Sequence, residues 1–295
     1  MRVLVTGSQG QLVRCLMDVA PRWPDIALVF AGRPEADLAE PGSIARAIAA
    51  QRPNAVLNAA AYTAVDLAED EPDKAFRINA EAAGEAAAAA AAIGAPIMHV
   101  STDYVFDGAQ PGAYHEDAPT GPINVYGRTK LAGEEQVRAA NPDFLIARTA
   151  WVFSPFGNNF VNSMVKAAGE RESLSVVDDQ RGSPTSGLEL AAALLGICDR
   201  WRAGERVGLG ETYHLTGSGA ASWFDFAREV VGQCAPSGRP AAKVLPVPSS
   251  AWPTRAPRPA NTALDCAKIE RDFGLGLPDW RVSVGEVVAR IVAER

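Results

Sequence analysis

Histidine and cysteine are scarce in this chain. Its 295 residues include three histidines, His99, His115 and His214, and four cysteines, Cys15, Cys198, Cys234 and Cys266. No histidine has another within metal-ligand spacing, and the cysteines show neither ligand spacing nor a disulfide-dense pattern. A metal centre is therefore not expected, and reduced thiols in the cytoplasm are the simplest reading. Positive charge is also short. The 28 Lys and Arg against 35 Asp and Glu leave a formal charge of -7, without the basic stripe of a nucleic-acid binder. Long apolar runs are missing too: the longest, the alanine-rich Ala86 to Ile93, is far too short to span a bilayer. The amino terminus runs directly into a strand pattern with no signal-peptide signature, so a cytoplasmic location is expected. The remaining composition, 47% hydrophobic and 21% charged, is that of an ordinary globular enzyme.

What is present is an alternation of short β-rich runs with helical patterns. Arg2 to Thr6, Ile26 to Phe30, Ala55 to Asn58, Pro96 to Ser101 and Phe144 to Thr149 read as strands. Helical patterns separate them over Gln11 to Ala20, Pro41 to Gln51, Asp73 to Ile93 and Tyr126 to Ala140. This order predicts an α/β fold: a doubly wound parallel sheet of the Rossmann type, covered on both faces. The alanines of 80–92 read as a helix whose small side chains pack closely on the sheet. After Trp151 the texture changes, with a strand at Leu174 to Val177, a helix at Glu189 to Asp199 and a proline-rich stretch from Pro246 to Pro259. The parse is a dinucleotide-binding domain over 1–150, also using about 175–205. A smaller C-terminal α/β substrate-binding domain over 151–295 is interleaved with it.

Thr6-Gly7-Ser8-Gln9-Gly10-Gln11-Leu12-Val13 follows the first strand and opens the first helix. Gly7 and Gly10 permit the tight turn and the close approach of a pyrophosphate to a helix amino terminus. Val13 stands where a third glycine is expected, which should alter packing rather than phosphate contact. At the end of the second strand stands Ala31-Gly32-Arg33, with no acidic residue to favour free ribose hydroxyls. The Arg33 guanidinium suits a 2′-phosphate by paired hydrogen bonds; an exposed loop arginine is an equal alternative. Asp37, followed by Leu38, offers a carboxylate to an adenine amino group. Ala59, Ala60, Ala61 and Tyr62 end the third strand with small residues that leave room for a cofactor, or simply pack. NADPH is the expected cofactor, with NADH as the other candidate.

Tyr126 and Lys130 stand four apart, twenty-four residues or so after Ser101-Thr102-Asp103. On a helix, positions i and i+4 share a face, so phenol and ammonium can point into one cleft. A free tyrosine titrates near 10. One ammonium at ~4 Å supplies roughly 4 kcal/mol at an effective dielectric near 20, enough to lower that pKa by ~3. Thr102 can orient a substrate oxygen. Together these form a carbonyl-reduction apparatus.

With Asn58-Ala59-Ala60-Ala61-Tyr62-Thr63-Ala64-Val65-Asp66, Ser101-Thr102-Asp103-Tyr104-Val105-Phe106, Tyr126-Gly127-Arg128-Thr129-Lys130, Gly157-Asn158-Asn159-Phe160 and Arg258-Pro259 in place, the chain resembles the extended short-chain dehydrogenase/reductases. Within them it is similar to the dTDP-4-dehydrorhamnose reductase family. That resemblance implies hydride transfer from NAD(P)H to C4 of dTDP-4-dehydro-6-deoxy-L-mannose, giving dTDP-L-rhamnose. It implies Thr102, Tyr126 and Lys130 as the catalytic set. Gly7, Gln9, Gly10, Gln11, Leu12, Arg33, Asp37, Leu38, Ala59 to Tyr62 and Lys130 would hold the cofactor. Val65, Asp66, Thr102, Asp103, Tyr104, Tyr126, Trp151, Asn159 and Arg258 would line the sugar-nucleotide pocket. Some members join subunits through a divalent cation on glutamates that align with Cys15 and Leu188 here. Without those carboxylates, a monomer or a metal-independent homodimer is expected. The competing readings are another sugar-nucleotide reductase or epimerase, and a non-catalytic dinucleotide-binding regulatory subunit like the methionine adenosyltransferase β subunit. The intact Thr102, Tyr126 and Lys130 set favours an enzyme.

Overall fold

The computed structural model describes residues 1–234 and 242–293. Its strands are β1 (Arg2–Thr6), β2 (Ala27–Ala31), β3 (Ala55–Asn58), β4 (Ile97–Thr102), β5 (Phe144–Thr149), β6 (Val152–Phe153), β7 (Ser173–Val177), β8 (Arg181–Gly182), β9 (Thr185–Ser186), β10 (Glu211–His214), β11 (Ala221–Ser222) and β12 (Lys243–Val247). The helices are α1 (Gln11–Val19), α2 (Ser43–Gln51), α3 (Val65–Ala68), α4 (Pro72–Phe76), α5 (Ala82–Ala92), α6 (Val125–Ala140), α7 (Phe160–Glu170), α8 (Gly187–Arg202), α9 (Trp223–Cys234), α10 (Ala267–Phe273) and α11 (Trp280–Ala293). Short 3₁₀ turns join some of them.

Six parallel strands form the main sheet in the order β10-β5-β4-β3-β1-β2. Both faces are covered, which is why the strands read as near-continuous apolar runs. Val3, Val5, Leu57, Met98 and Leu145 pack on one face against Cys15, Leu16, Leu190 and Leu194 of α1 and α8. Leu4, Val56, Ile97 and Ile146 pack on the other against Ile44, Ile48, Ala83, Ala87 and Val137 of α2, α5 and α6. Strand order reverses between β1 and β3, so the crevice at their carboxyl ends is the switch point where open α/β sheets take ligands.

Several elements differ from the sequence reading. The expected helix over Asp73 to Ile93 is α4 and α5 joined by a π turn at Arg77–Glu81. That turn buries Asn79, whose side chain accepts from Tyr62 N at 2.7 Å and donates to Thr129 Oγ1 at 2.9 Å. Such insertions favour functional places, because they redirect a side chain without ending the helix. The sixth strand of the main sheet is β10, beyond the 175–205 stretch expected to contribute. Within that stretch α8 packs on the sheet beside α1, whereas β7 pairs with β12. A third apolar cluster of Phe153, Val161, Phe226, Trp280 and Val284 binds α7, α9 and α11 together.

Candidate active site

The glycine loop leaves β1 through Gly7, at φ 91°, and enters α1 at Gly10. No side chain caps α1, so the backbone N–H groups of its first turn are left for another acceptor. A Cβ on Gly10 would meet no atom within 4 Å, whereas one on Gly32 would lie 2.5 Å from Ser8 Oγ. The loop is thus open outward and tight against the end of β2. Val13, in the place of the third glycine, is buried in the core beneath α1. It therefore touches packing and not the open side of the loop.

Gln9 is exposed, and Gln11 turns its Nε2 to Val152 O at 3.0 Å. Leu12 packs against the core. Arg33 is exposed directly after β2, with no partner among the described residues. Asp37 accepts from Ala39 N at 2.9 Å, and Leu38 joins the apolar layer. Thr6 Oγ1 accepts from both Ala59 N and Ala60 N, which holds the Ala59–Ala61 turn against the glycine loop. Tyr62 donates to Glu71 at 2.6 Å and is pushed up to about 12 by that bond.

Helix α6 is brought to the sheet by absent side chains. A Cβ on Gly127 would sit 2.2 Å from Tyr104 O, and one on Gly133 would sit 2.2 Å from Asn79 O. Asn124 caps the helix by accepting from Gly127 N at 2.8 Å, while Glu69 accepts from Val125 N at 2.8 Å. Tyr126, Lys130 and Glu134 follow at i, i+4 and i+8 on the inward face. Glu134 is fully buried, takes a two-pronged bond from Arg148 of β5, and also accepts from Ser101 at 2.6 Å. Burial is the largest single influence and raises its pKa, but the hydrogen bonds and charge of Arg148, with Ser101 and Arg138, together hold the carboxyl below its ordinary range. Removing one partner of such a pair costs about 3–5 kcal/mol, so this clamp fixes the depth of α6.

Lys130 is 2% exposed and donates to Val100 O at 2.7 Å, with His99 Nε2 at 3.4 Å. Burial pulls it down to about 8. The Tyr126 phenol departs from the expected lowering: burial, the largest influence, pushes it up to about 12, and the Thr102 hydroxyl acts in the opposite direction. The physical reason is that the phenol loses water in the cleft while the lysine nitrogen is engaged by Val100 and His99. Thr102 donates to Asp103 Oδ1 at 2.9 Å and accepts from Tyr104 N at 3.2 Å. Asp103 is 2% exposed, its Oδ2 has no partner, and burial pushes its carboxyl up to about 6. Tyr104 and Tyr126 meet edge to face at 5.8 Å.

The remaining pocket candidates behave differently from one another. Val65 and Asp66 open the short α3, an element not expected from sequence. Asp66 accepts from Arg258 at 2.8 Å and from Ala256 N at 3.0 Å, so these two candidates are paired with each other across the cleft. Trp151 has φ 45°, a left-handed backbone that costs a non-glycine residue about 1–3 kcal/mol. It is held there by stacking on Trp223 at 3.5 Å, and a Cβ on Gly182 would strike its ring. Asn159 caps α7 and donates to Ser154 O and Phe156 O, so its amide is occupied locally. Sequence reasoning did not single out His99, Asn79, Glu134 or Trp223. His99 and Glu134 are spaced along elements already recognised, but nothing in their spacing signals the contacts they make. Cys15 and Leu188 lie where α1 meets α8, and burial pushes the Cys15 thiol up to about 11. Among the described residues, no group of three or more His, Cys, Asp or Glu could hold a metal ion. Nor is any described helix long and apolar enough to cross a membrane.

A parallel nucleotide-binding sheet with a Thr, a Tyr and a Lys at its carboxyl edge defines the class, the extended short-chain dehydrogenase/reductases. The family model described as "RmlD substrate binding domain" matches residues 1–293. A dTDP-4-dehydrorhamnose reductase of Sinorhizobium fredii is 43% identical over 294 residues, covering 100% of this chain and 99% of its own. A solved dTDP-4-dehydrorhamnose reductase from Clostridium acetobutylicum superposes with a TM-score of 0.90 at 35% identity, over 99% of both chains. One from Bacillus anthracis, solved in complex with NADP, gives 0.87 at 34%, over 100% of this chain and 99% of its own. The chain belongs to the dTDP-4-dehydrorhamnose reductase family.

Proposed function

We propose that this protein reduces the C4 ketone of dTDP-4-dehydro-6-deoxy-L-mannose to give dTDP-L-rhamnose, using NADPH. The observation that carries this reading is that Tyr126 meets the Thr102 hydroxyl while Lys130 stands one turn further along α6. It is supported by full-length likeness to reductases of that name and by the NADP complex of one of them. The cofactor fits the residues present: an uncapped α1 behind an open Gly10, small residues at Ala59–Ala61, and an unpartnered Arg33 placed for a 2′-phosphate.

When bound, NADPH supplies the hydride. Thr102 orients the carbonyl oxygen and exchanges its bond to Asp103 for one to substrate. Tyr126 donates its proton to the oxygen as negative charge develops there, which is general acid catalysis. A phenol at about 12 holds its proton until the alkoxide forms, so the donor is loaded across neutral pH. Lys130, in its charged form, stabilises the phenolate left behind. Trp151, backed by Trp223, offers a flat apolar wall to the sugar. Arg258, paired with Asp66, supplies a cation for the diphosphate, and Asn159 holds the Ser154–Phe156 loop in place. Residues 1–150, with α8 and β10, would form the cofactor half, and the rest of 151–295 the substrate half. The subunit is a monomer or a homodimer without a bridging metal.

Incubation with the keto-sugar nucleotide and NADPH tests the reading. Loss of nicotinamide absorbance with formation of dTDP-L-rhamnose is expected. Binding of dinucleotide without turnover, or reduction of a different hexose only, would overturn it.

A further inference from the structure

A polar row crosses three neighbouring strands, from Thr6 at the end of β1 and Asn58 at the end of β3 to His99 in the middle of β4, ending on Lys130 of α6. Its hydrogen atoms can be placed by counting. Thr6 Oγ1 accepts from Ala59 N at 3.0 Å and from Ala60 N at 2.9 Å, which uses both its lone pairs. Its one proton must go to Asn58, at 2.8 Å, so the facing Asn58 atom is the carbonyl Oδ1. The reverse orientation would direct a third donor at the same oxygen and leave the hydroxyl proton without an acceptor. The Asn58 Nδ2 therefore faces His99 Nδ1 at 2.9 Å and donates to it. The imidazole is fully buried and neutral, because burial and the nearby Lys130 hold its pKa well below the ordinary value. A neutral ring that accepts at Nδ1 carries its proton on Nε2. That Nε2–H points at Lys130 Nζ, 3.4 Å away.

An ammonium facing an N–H is repelled, while a neutral amine accepts from it and still donates to Val100 O. We propose that His99 is a positioning residue for Lys130: locked by Thr6 and Asn58 with its proton on Nε2, it favours the lysine amine over the ammonium. The protonation of Lys130 is thereby tied to the turn that holds Ala59 and Ala60 against the glycine loop. The charged and titratable groups around the pair are Tyr126 and Glu134 on α6, with Arg138 and Arg148 both bound to Glu134. Glu134 favours the ammonium and so opposes His99. The functional consequence rests on the reading of Lys130 as the group that stabilises the Tyr126 phenolate. Activity should then fall as pH rises through the lysine titration, and His99 should set where that limb lies.

Two measurements test this on the full chain. The first is ¹⁵N NMR of the histidine rings between about pH 6 and 9. With three histidines in the chain, His115→Gln and His214→Gln variants leave the His99 signals assigned without touching His99. The expected spectrum is the neutral Nε2–H tautomer throughout, shifting toward Nδ1–H in Thr6→Val, where Asn58 is free to turn over. An imidazolium, or the Nδ1–H tautomer in the unaltered chain, overturns the proposal. The second is titration of ¹³Cε-labelled lysine, assigned with Lys130→Arg, alongside the alkaline limb of kcat/KM. His99→Leu should raise the proton affinity of Lys130 about tenfold and move the limb up in pH by the same factor. A residue that merely fills space would lower the melting temperature and leave both midpoints in place, which would also overturn the proposal. Because the NMR titrations need no turnover, failure of the reductase reading would show as missing product with the histidine tautomer unchanged.

Discussion

Gly127→Ala is the sharpest test of how α6 places the proposed catalytic groups. A Cβ there would stand 2.2 Å from Tyr104 O and 2.9 Å from Pro122 Cβ. A carbon and a carbonyl oxygen sit comfortably at about 3.3 Å or more, so the first turn of α6 must retreat from the Asp103–Val105 turn by ~1 Å. Neither neighbour can yield easily. Tyr104 O is backbone, and the helix start is held by Asn124 and Glu69. Tyr126 and Thr102 lie on opposite sides of that contact, so their separation would grow by the same distance. A displacement of about 1 Å in a catalytic constellation costs on the order of 10²-fold in rate. Alanine gains up to ~1 kcal/mol over glycine in helix propensity, while overpacking costs about 1–3 kcal/mol, so the net change is a modest destabilisation. Expected, then, is a fold that survives, a melting temperature lower by a few degrees, and kcat reduced about 100-fold with dinucleotide affinity preserved. Thermal melts, cofactor titration and steady-state reduction of the keto-sugar nucleotide measure these. A variant with more than half the original kcat would refute the claim that Gly127 sets the distance between α6 and β4.

Tyr126→Phe should cost roughly 10²–10⁴-fold in turnover with dinucleotide binding nearly unchanged; retention of half the rate would remove the phenol as proton donor. Arg33→Ala should weaken NADPH more than NADH, by about 1.5–3 kcal/mol in titrations, and equal losses would place Arg33 away from the 2′-phosphate. Asp103 gives a pH signature. Its folded pKa of about 6 lies above the ordinary 3.8, so the folded state holds the proton more tightly. The contribution of Asp103 to stability is then greatest below pH 4 and declines by up to ~3 kcal/mol as pH rises through about 6. Asp103→Asn should flatten that decline in denaturant melts, and parallel curves for the two proteins would contradict it. Dialysis against a chelator should change neither sedimentation nor turnover, because Cys15 and Leu188 offer no oxygen ligands; activity restored specifically by magnesium would sink that view.

The sequence by itself determined the layered fold and supplied the candidate set of Thr102, Tyr126 and Lys130. Strands such as Arg2–Thr6 and Ala55–Asn58 are apolar on both faces, and helical patterns separate them, so a covered parallel sheet is dictated locally. Tyr126 and Lys130 were legible for the same kind of reason: a helix of fixed pitch puts i and i+4 together whatever surrounds it. Gly7 and Gly10 announced the loop because their conformational demands are written into the residue type. The tertiary structure decided everything that depends on what arrives from elsewhere in the chain. The π turn at Arg77–Glu81 exists because Asn79 reaches Tyr62 and Thr129, contacts that propensity does not encode. Arg258 and Asp66 proved to be partners although 192 positions separate them. Trp151 takes a left-handed backbone because Trp223 and Gly182 enclose its ring. The titration of Tyr126 and Lys130 was beyond sequence for the same reason. Spacing brings the two side chains to one face, but burial, with Thr102 and Asp103 near Tyr126 and Glu134 near Lys130, sets their proton affinities.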